Sequence, residues 1–522
     1  MHEFAMANGH SVPVAIEDPE SISSRKELLR QMHDVLRHDR SETLDLCYDY
    51  YYGKQLMPFA PRDASDQIRD LQARSVTNLV TLLVNLPAQV SYVDGYRRGV
   101  DGGTFGRTTE LDGTSQPAGT VSQRDQTRFS PEYDVWQKCR MDARQATIYR
   151  AAAMYGHAFV YLNNLYGPND LRIELLSTRN TVAFFDDPIN DIRPRYVLTI
   201  KSQPIDERPG LAIFWDETAR YEVYWNLDGD YAIQSGEVPH GFAGAPPIVR
   251  YTCYLDDEGR SMGLVEPAIP HQNRVNQAVF STNITADFGA FKVRTAAGLV
   301  PNVRIGADGE PMTDPVTGGF IYEPVVVSQS RMLLSDDPTT KFSQLDETPL
   351  DGYLKNEDAA MKNMMAAAQF PIHMLLGNVS QMSAEALAAL EAQFTRFCEA
   401  FQCSLGESHE ELFRLIAEAQ SDAAGATSFG GEVRWRDKSQ KSFAAVVEGL
   451  SKIVTELEVP KRAAWALIPG ITSGKLADWE ELKEEELNSD MFTDPRDDVG
   501  AAANRERAVT RSDDGGANEP TE

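Results

Sequence analysis

A helical pattern rich in Ala and Met breaks at Phe370-Pro371-Ile372-His373-Met374-Leu375-Leu376-Gly377 and resumes at Ser383 as a much longer helical pattern. The whole stretch runs from Tyr353 to Gln420. The break contains no group of side chains arranged for catalysis. The order of helix, loop and long helix therefore decides how the remaining sequence is interpreted.

The helix after the break has the strongest local pattern in the chain. Ser383 is a favoured N-terminal capping residue, and Glu385 places negative charge in the first turn. Apolar residues then recur three or four positions apart, namely Leu387, Leu390, Phe394, Phe397, Phe401, Leu405, Leu412 and Leu415. Such a stripe is typical of any core helix, but its length favours a rod that crosses several layers of a larger assembly.

The helix before the break has a slim and adaptable apolar side. Small or flexible side chains of this kind suit close contact between helices, within one subunit or between subunits. They are Ala359, Ala360, Met361, Met364, Met365, Ala366, Ala367 and Ala368, with Tyr353 at the start. The polar residues of the same helix face either a channel or bulk water, and they are Lys355, Asn356, Glu357, Lys362 and Asn363.

The composition is that of a folded protein with a strongly acidic balance. A chain of 522 residues with 42% hydrophobic residues predicts two to four packed units. The formal net charge of −28 argues against general affinity for nucleic acid, because phosphate binding needs clustered Lys and Arg. An acidic surface is compatible with solubility, or with a passage that DNA traverses without sticking.

Cysteine usage and hydropathy exclude several classes of protein. The five cysteines have no paired metal-binding spacing, and Cys398 and Cys403 do not share one helix face, so we expect buried free thiols and no metal site. The longest apolar run, Leu79 to Val90, is shorter than the roughly 20 residues of a membrane span. The first residues lack a signal-peptide pattern, which indicates synthesis in a cytoplasm.

The remaining sequence predicts an α+β fold. A helix is expected from Ser24 to Arg40, strand-like residues at Gln89 to Val93, a surface loop from Gly99 to Gln126, and a helix from Glu132 to Met154. An antiparallel meander should follow, with strands at His157–Leu162, Leu171–Leu176, Thr181–Phe185, Pro194–Ile200, Leu211–Trp215, Tyr221–Trp225 and Tyr231–Ile233. Later elements are a helix from about Val265 to Ala290, a strand-rich insert over 292–349, a strand at Gly431–Trp435, and helices near 440–457 and 460–468.

Known catalytic and nucleotide-binding motifs are missing from the sequence. Gly470 to Leu476 comes nearest to a phosphate loop, but it has three residues between its glycines where the motif has four. His157 lies between a glycine and an apolar strand, so we interpret it as a core or edge histidine bonded to backbone. We therefore predict no catalytic residue and no cofactor.

Three stretches, in this order, carry a family resemblance. The first is Ala153-Met154-Tyr155-Gly156-His157-Ala158-Phe159-Val160-Tyr161. The second runs from Ala245-Pro246-Pro247-Ile248-Val249-Arg250-Tyr251 through Ser261-Met262-Gly263 to Asn273-Arg274-Val275-Asn276-Gln277. The third joins Phe342-Ser343-Gln344-Leu345 and Leu350–Tyr353 to Phe370–Gly377 and Met382–Leu387. Together they resemble tailed-phage portal proteins, particularly the family typical of siphophages that infect actinobacteria.

The resemblance implies a portal-type architecture that assembles as a twelve-subunit ring at one capsid vertex. Residues 25–263 would form the wing, 264–290 and 350–369 the two stem helices, 291–349 the clip, 370–382 the tunnel loop, 383–422 the long helix towards the crown, and 423–488 a wing return strand and the helical crown region. Residues 1–24 are expected to be a mobile N-terminal segment, and 489–522 a disordered acidic tail.

The resemblance also implies partners and contact residues. The ring would let double-stranded DNA pass without sequence preference, dock the terminase large subunit and later a head–tail adaptor, and meet the major capsid protein and scaffold, with no membrane involved. The tunnel loop would present Phe370, His373, Met374, Asn378, Ser380 and Gln381 to DNA. The clip cations Lys292, Arg294, Arg304 and Arg331 would contact partners or DNA, or be ordinary surface charge.

Two other functions remain open from the sequence. One is a capsid-associated adaptor or scaffold that forms no DNA channel. The other is a cytoplasmic enzyme with an unrecognised site, which the absence of a convergent nucleophile, base or ligand set disfavours.

Overall fold

The computed structural model describes residues 4–7, 10–13, 22–98, 130–206, 208–226, 231–233, 237–290, 294–297, 303–306, 309–315, 317–322, 341–344, 348–371, 384–436, 443–456 and short pieces between 459 and 485. The chain forms two compact units, within the expected two to four. The first unit combines Met1–Asp45, Val84–Leu264 and Thr395–Glu522, and the second combines Leu46–Leu83 and Val265–Phe394. The grouping of Leu46–Leu83 with the second unit was not anticipated from the sequence.

The described elements confirm a chain of mixed helices and strands. The helices are α1 (Ile22–Asp39), α2 (Asp45–Tyr51), α3 (Asp66–Arg74), α4 (Val80–Val90), α5 (Pro131–Lys138), α6 (Met141–Tyr155), α7 (Val265–Ala290), α8 (Asp351–Ala367), α9 (Ala384–Ala419), α10 (Ala423–Ala426), α11 (Phe443–Glu456) and α12 (Lys461–Trp465). A π-helical turn, Arg40–Leu44, joins α1 to α2, and a 3-10 turn covers Thr178–Asn180.

The strands are β1 (Phe4–Ala7), β2 (His10–Pro13), β3 (Val93–Arg97), β4 (His157–Asn163), β5 (Arg172–Leu176), β6 (Thr181–Phe185), β7 (Tyr196–Ser202), β8 (Gly210–Trp215), β9 (Ala219–Trp225), β10 (Tyr231–Ile233), β11 (Val238–Pro239), β12 (Ile248–Thr252), β13 (Tyr254–Leu255), β14 (Ser261–Met262), β15 (Arg294–Ala297), β16 (Lys341–Gln344) and β17 (Glu432–Trp435).

Five of the seven strands predicted as one meander, β6 to β10, form the centre of the first unit, whereas β4 and β5 lie in a separate sheet. Strands β6 to β10 pair antiparallel with their neighbours in sequence, and β11 adds to β9. The hairpin of β1 and β2 extends the sheet beyond β6, where Met6 pairs with Phe185 and Ala7 with Phe184. No strand was expected within residues 1–24. This hairpin pairs with the edge of β6 opposite the edge that pairs with β7.

Both faces of the sheet are covered, so its strands bury successive side chains on opposite sides. Val182 and Phe184 belong to a cluster with Leu29 and other residues of α1. Ala183 and Phe185 belong to a second cluster with Phe159 and other residues of β4, β5 and β12. The first unit therefore has three layers, in which a helix and a three-stranded sheet of order β12-β4-β5 enclose the large sheet.

Two elements differ from the sequence-based expectation. The helix predicted over Glu132–Met154 is divided into α5 and α6, because Arg140 has a left-handed backbone with φ 56°. The residues before β3 form α4 rather than a strand from Gln89. Val80, Leu83, Val84 and Ala88 are buried at helical spacing, which outweighs the β preference of valine.

The predicted apolar stripe of the long helix α9 is confirmed over the residues whose side chains are described. Phe397, Phe401, Leu405, Leu412 and Leu415 are all buried. The hydroxyls of Ser404 and Ser408 donate to the carbonyls of Thr252 and Arg250, at 2.9 and 2.8 Å. The Thr395–Ala419 part of the helix is thereby fixed to β12 within the first unit.

His409 forms the polar centre of this core. Its Nε2 lies 2.8 Å from the hydroxyl of Tyr149, and its Nδ1 lies 3.0 Å from the hydroxyl of Tyr251. A neutral imidazole has one donor and one acceptor nitrogen, so one tyrosine donates and the other accepts. Burial lowers the pKa of His409 to about 3, and the imidazole is neutral at pH 7.

His157 is a second neutral core histidine. Burial, with the nearby Arg250 guanidinium as a smaller cause, lowers its pKa to about 3. The prediction of a core histidine is confirmed. The prediction of a backbone partner is wrong, because Nδ1 lies 2.9 Å from the hydroxyl of Ser261.

We expect these two histidines to make the first unit less stable as pH falls. The folded pKa of each lies below the unfolded value of 6.5, so the unfolded chain binds more protons between pH 6.5 and pH 3. Lowering the pH from 7.5 to 5.5 should cost about 1.4 kcal/mol of unfolding free energy per histidine. Thermal unfolding at both pH values, for the wild type and His409→Gln, measures this.

The variant His409→Gln should have a lower midpoint at pH 7.5 but a smaller difference between the two pH values. His38→Gln, which removes an exposed histidine of α1, is the control for the loss of one imidazole. Equal pH dependence in His409→Gln and wild type would contradict a neutral buried imidazole at this position.

Candidate functional site

The first unit ends at a close crossing of two backbone segments, immediately before α7. Gly156 has φ 92°, and a Cβ atom there would lie 2.8 Å from the carbonyl carbon of Met262. A Cβ atom on Gly263 would lie 2.6 Å from the carbonyl oxygen of Met154. Only glycine fits either position. The Leu264 N–H donates to the carbonyl of Ala153 at 2.7 Å, so the residue before α7 is held as well.

The crossing joins two of the stretches that carry the family resemblance. Strand β4 pairs with β12 from Ile248 opposite Tyr161 to Thr252 opposite His157. The N–H of Cys253 donates to the carbonyl of Gly156 at 2.9 Å. These stretches are far apart in the sequence, and the structure brings them together in one sheet and one crossing.

The second unit contains the two helices predicted as the stem. Helix α7 covers Val265–Ala290, the bounds expected from the sequence, and it packs against α8. Helix α8 buries Ala360, Met364 and Met365, in agreement with its slim apolar side. Its polar residues Lys355, Asn356, Lys362 and Asn363 are exposed, and they are available to line a channel or to face bulk water.

Buried amide side chains of α7 bind the backbone of residues 77–79. Gln272 and Asn276 lie one turn apart and are fully buried. The Asn276 carboxamide oxygen accepts from the Thr77 N–H at 3.0 Å, and the Gln272 oxygen accepts from the Leu79 N–H at 3.1 Å. These bonds replace water at backbone groups that burial would otherwise leave unpaired.

The same network reaches the segment after α2. Asn276 Nδ2 donates to Gln55 Oε1 at 2.8 Å, and Gln55 Nε2 donates to Asn78 Oδ1 and to the Tyr50 carbonyl, each at 3.0 Å. The sequence analysis included Asn276 in the family resemblance but did not predict its partners Gln55, Asn78 and Gln272. The sequence pattern that could have indicated the network is the pair of amide residues at 272 and 276, which share one face of a helix.

The break after α8 begins with a buried aromatic residue. Gln369 has φ 60°, and the Phe370 ring packs 5.0 Å from the ring of Phe394, with 5% of the residue exposed. The Phe370 ring is thus shielded by Phe394, and its contact with DNA stays a prediction. The other predicted loop residues, His373, Met374, Asn378, Ser380 and Gln381, lie outside the described residues.

The described residues of the region predicted as the clip, 291–349, include several β pairings, in agreement with a strand-rich insert. Strands β15 and β16 pair antiparallel from Arg294 opposite Gln344 to Ala297 opposite Lys341. Three short segments between 303 and 322 are bridged at Val303 to Tyr322, Ile305 to Pro311 and Thr313 to Phe320. The predicted contact residue Arg304 is exposed within them, Arg294 begins β15, and Lys292 and Arg331 lie outside the described residues.

The cysteines differ in part from the expected pattern. All five are free thiols; Cys47, Cys253 and Cys398 are buried, but Cys139 is half-buried and Cys403 is exposed. In the part of the chain that the structure describes, no group of three or more His, Cys, Asp or Glu is placed to hold a metal ion. None of the helices there has the length and apolar content needed to cross a membrane.

We expect Gly156→Ala to destabilise the first unit more than Gly167→Ala. Both glycines have a similar positive φ, of 92° and 95°, but a Cβ atom on Gly167 would meet nothing within 4 Å. The two variants therefore share the backbone strain, and only Gly156→Ala adds overlap with the backbone of β14, at about 1–3 kcal/mol. Thermal unfolding should show the difference at roughly 2–4 °C per kcal/mol. Equal midpoints would show that the crossing tolerates a methyl group.

Comparison with solved structures finds distant similarity to parts of one kind of particle. The solved structures with detectable similarity include the neck of an empty GTA particle computed with C6 symmetry, at 13% identity and a TM-score of 0.36, covering 77% of this chain and 91% of that chain. The neck of the native GTA particle computed with C12 symmetry has 13% identity and a TM-score of 0.36, covering 81% and 98%. The virion of the native gene transfer agent particle has 13% identity and a TM-score of 0.35, covering 80% and 95%.

No curated protein sequence matches the chain. The model of the family described as phage portal protein, SPP1 Gp6-like, matches residues 34–489, which is most of the chain. With the crossing before α7, the paired helices α7 and α8, and the long helix α9 in place, the chain belongs to the SPP1 Gp6-like family of phage portal proteins.

Proposed function

We propose that this portal protein forms a ring of twelve copies at the unique capsid vertex, and that the ring is the channel for DNA packaging and ejection. The observation that carries the proposal is the family match over residues 34–489. Portal proteins are virion components of the head–tail connector, and packaging and ejection are the roles of the family. The number twelve and the actinobacterial siphophage origin remain predictions from the sequence resemblance.

The helix pair α7 and α8 supports the assignment of a stem. Helix α8 exposes lysine and asparagine side chains while its methionines pack inward. In a ring, that exposed polar face would line the channel, and residues 370–382 would form the tunnel loop below it. His373, Asn378, Ser380 and Gln381 would contact the DNA backbone through neutral polar groups, which favour sliding over tight binding.

The clip would supply the docking surface of the ring. Arg304 is exposed on the short β segments between 303 and 322, and Lys292, Arg294 and Arg331 belong to the same region of sequence. We propose that this region contacts the terminase large subunit during packaging and a head–tail adaptor afterwards. The capsid protein and scaffold would contact the ring elsewhere.

The portal would not be the packaging motor. The portal family is structural rather than enzymatic, and the sequence has no phosphate loop. ATP hydrolysis would therefore come from the terminase. The charge of −28 on each copy, repeated around a ring, would repel the duplex from the wall and lower sliding friction.

The ring itself is the first expected result. Negative-stain electron microscopy of the purified full-length chain, with mass measured by light scattering, should show annular particles with a central hole and a mass near twelve copies. A chain that stays monomeric at high concentration and with scaffold protein added would contradict the portal function. Closed particles without a hole would instead favour the adaptor or scaffold function.

A lysine placed in the tunnel loop should slow DNA translocation. Asn378→Lys would add a positive charge beside the phosphates, and each such contact strengthens binding in a salt-dependent manner. We expect slower packaging at low salt in a terminase-driven packaging reaction, with recovery as salt is raised. Asn190→Lys, at an exposed loop position of the first unit, is the matched control and should package at the wild-type rate. Wild-type packaging by Asn378→Lys at all salt concentrations would place residue 378 away from DNA.

A further inference from the structure

The stretch from Leu46 to Phe59 exposes an unusual number of large apolar side chains. Leu46 is 42% exposed, Tyr52 59%, Leu56 67%, Met57 51% and Phe59 80%. All five belong to the second unit. Isolated exposed apolar residues are normal, so we take five within 14 residues as a candidate interaction surface. We call these five residues the 46–59 face.

The backbone beneath the 46–59 face is held in place by hydrogen bonds. The Phe59 N–H donates to Gln277 Oε1 on α7 at 2.7 Å, and Gln72 Nε2 donates to the Pro58 carbonyl at 2.5 Å. Gln55 is buried in the amide network of α7. A surface that is already ordered loses little conformational entropy on binding, so its apolar area contributes directly to association.

The exposed apolar area is close to what a specific contact needs. With about 150–250 Å² for each large side chain, the five exposed fractions correspond to on the order of 500 Å². A standard protein–protein contact buries about 800 Å² per partner, including its polar rim. The 46–59 face can therefore supply most of the apolar part of one such contact.

A ring requires two different faces on each copy, because every copy contacts one neighbour on each side. The second face is available on α8. Tyr353 is 36% exposed and Leu354 is 48% exposed in its first turn, on the side of the helix that buries Ala360, Met364 and Met365 further along. Both faces belong to the second unit. The same contact between neighbouring copies could therefore be formed all around the ring by this unit alone.

We infer that the 46–59 face of one copy packs against α8 of a second copy, and that this contact closes the ring. The inference rests on the proposed ring and names the surfaces that form it. The expected partner is thus a slim helix with Tyr353 and Leu354 at its exposed start, seated on Leu56, Met57 and Phe59.

Two variants of the full-length chain, each altered on one face, test the inference. The first is the double variant Leu56→Glu/Phe59→Glu, and the second is Leu354→Glu. Each should reduce the fraction of rings at least tenfold, as measured by light-scattering mass and negative-stain images. Ile205→Glu is the matched control, because Ile205 is also 67% exposed but lies in the first unit, and it should form rings as the wild type does.

Mixing the two variants gives a sharper result. The double variant keeps an intact α8 face, and Leu354→Glu keeps an intact 46–59 face, so one pair of contacting surfaces remains between them. The mixture should form a one-to-one dimer, of twice the monomer mass, and nothing larger. Thermal midpoints equal to wild type would confirm that both variants are folded.

The outcomes separate the inference from the proposed function. Rings formed by the double variant at the wild-type level would overturn the inference and leave the portal function intact. Wild-type rings together with no dimer in the mixture would overturn the choice of α8 as the contacting surface. A wild-type chain that never forms rings would instead overturn the proposed function on which the inference rests.

Discussion

The close approach of Gly156 and Gly263 is the contact on which the order of elements in this chain depends. It brings the end of α6, the start of β4 and the residues after β14 within van der Waals distance, and any side chain would separate them. Strand β4 also pairs with β12, in the three-stranded sheet that forms one layer of the first unit. This sheet therefore positions the residues that precede α7. The Leu264 N–H bonded to the Ala153 carbonyl also holds the residue immediately before α7.

Two different kinds of interaction order the two units. The first unit depends on apolar burial on both faces of a sheet, with neutral His409 as a polar centre whose partners Tyr149 and Tyr251 are themselves buried. The second unit uses buried amides on α7 to hold residues 77–79, whose backbone lies outside helices and strands. Amide networks are directional, so they specify one arrangement of the segment where apolar contact alone would allow several.

The sequence predicted the features that depend on local pattern. The bounds of α7 and the strands β6 and β10 agree residue by residue, because alternation and helical spacing are visible within each segment. The left-handed Arg140 was missed because neither glycine nor proline marks the position. The burial of Phe370 was missed because its partner Phe394 lies beyond the break, and the Gln55–Asn276 bond joins residues far apart in the chain. Contacts of that kind arise from tertiary packing, which a single sequence does not encode locally.

The acidic charge would oppose assembly, and the apolar faces would favour it. The distance over which each interaction acts determines which of them dominates. Copies with a charge of −28 repel each other, but at physiological salt the repulsion between exposed charges is screened beyond about 8 Å. Apolar contact acts at van der Waals distance and contributes about 25 cal/mol per Å², so burial of the 46–59 face, on the order of 500 Å², gives roughly 12 kcal/mol before the cost of association. Since screening removes most of the distant repulsion, the apolar faces would determine whether copies of this portal protein assemble. The acidic surface would then determine how assembly responds to salt and how freely DNA moves past the wall.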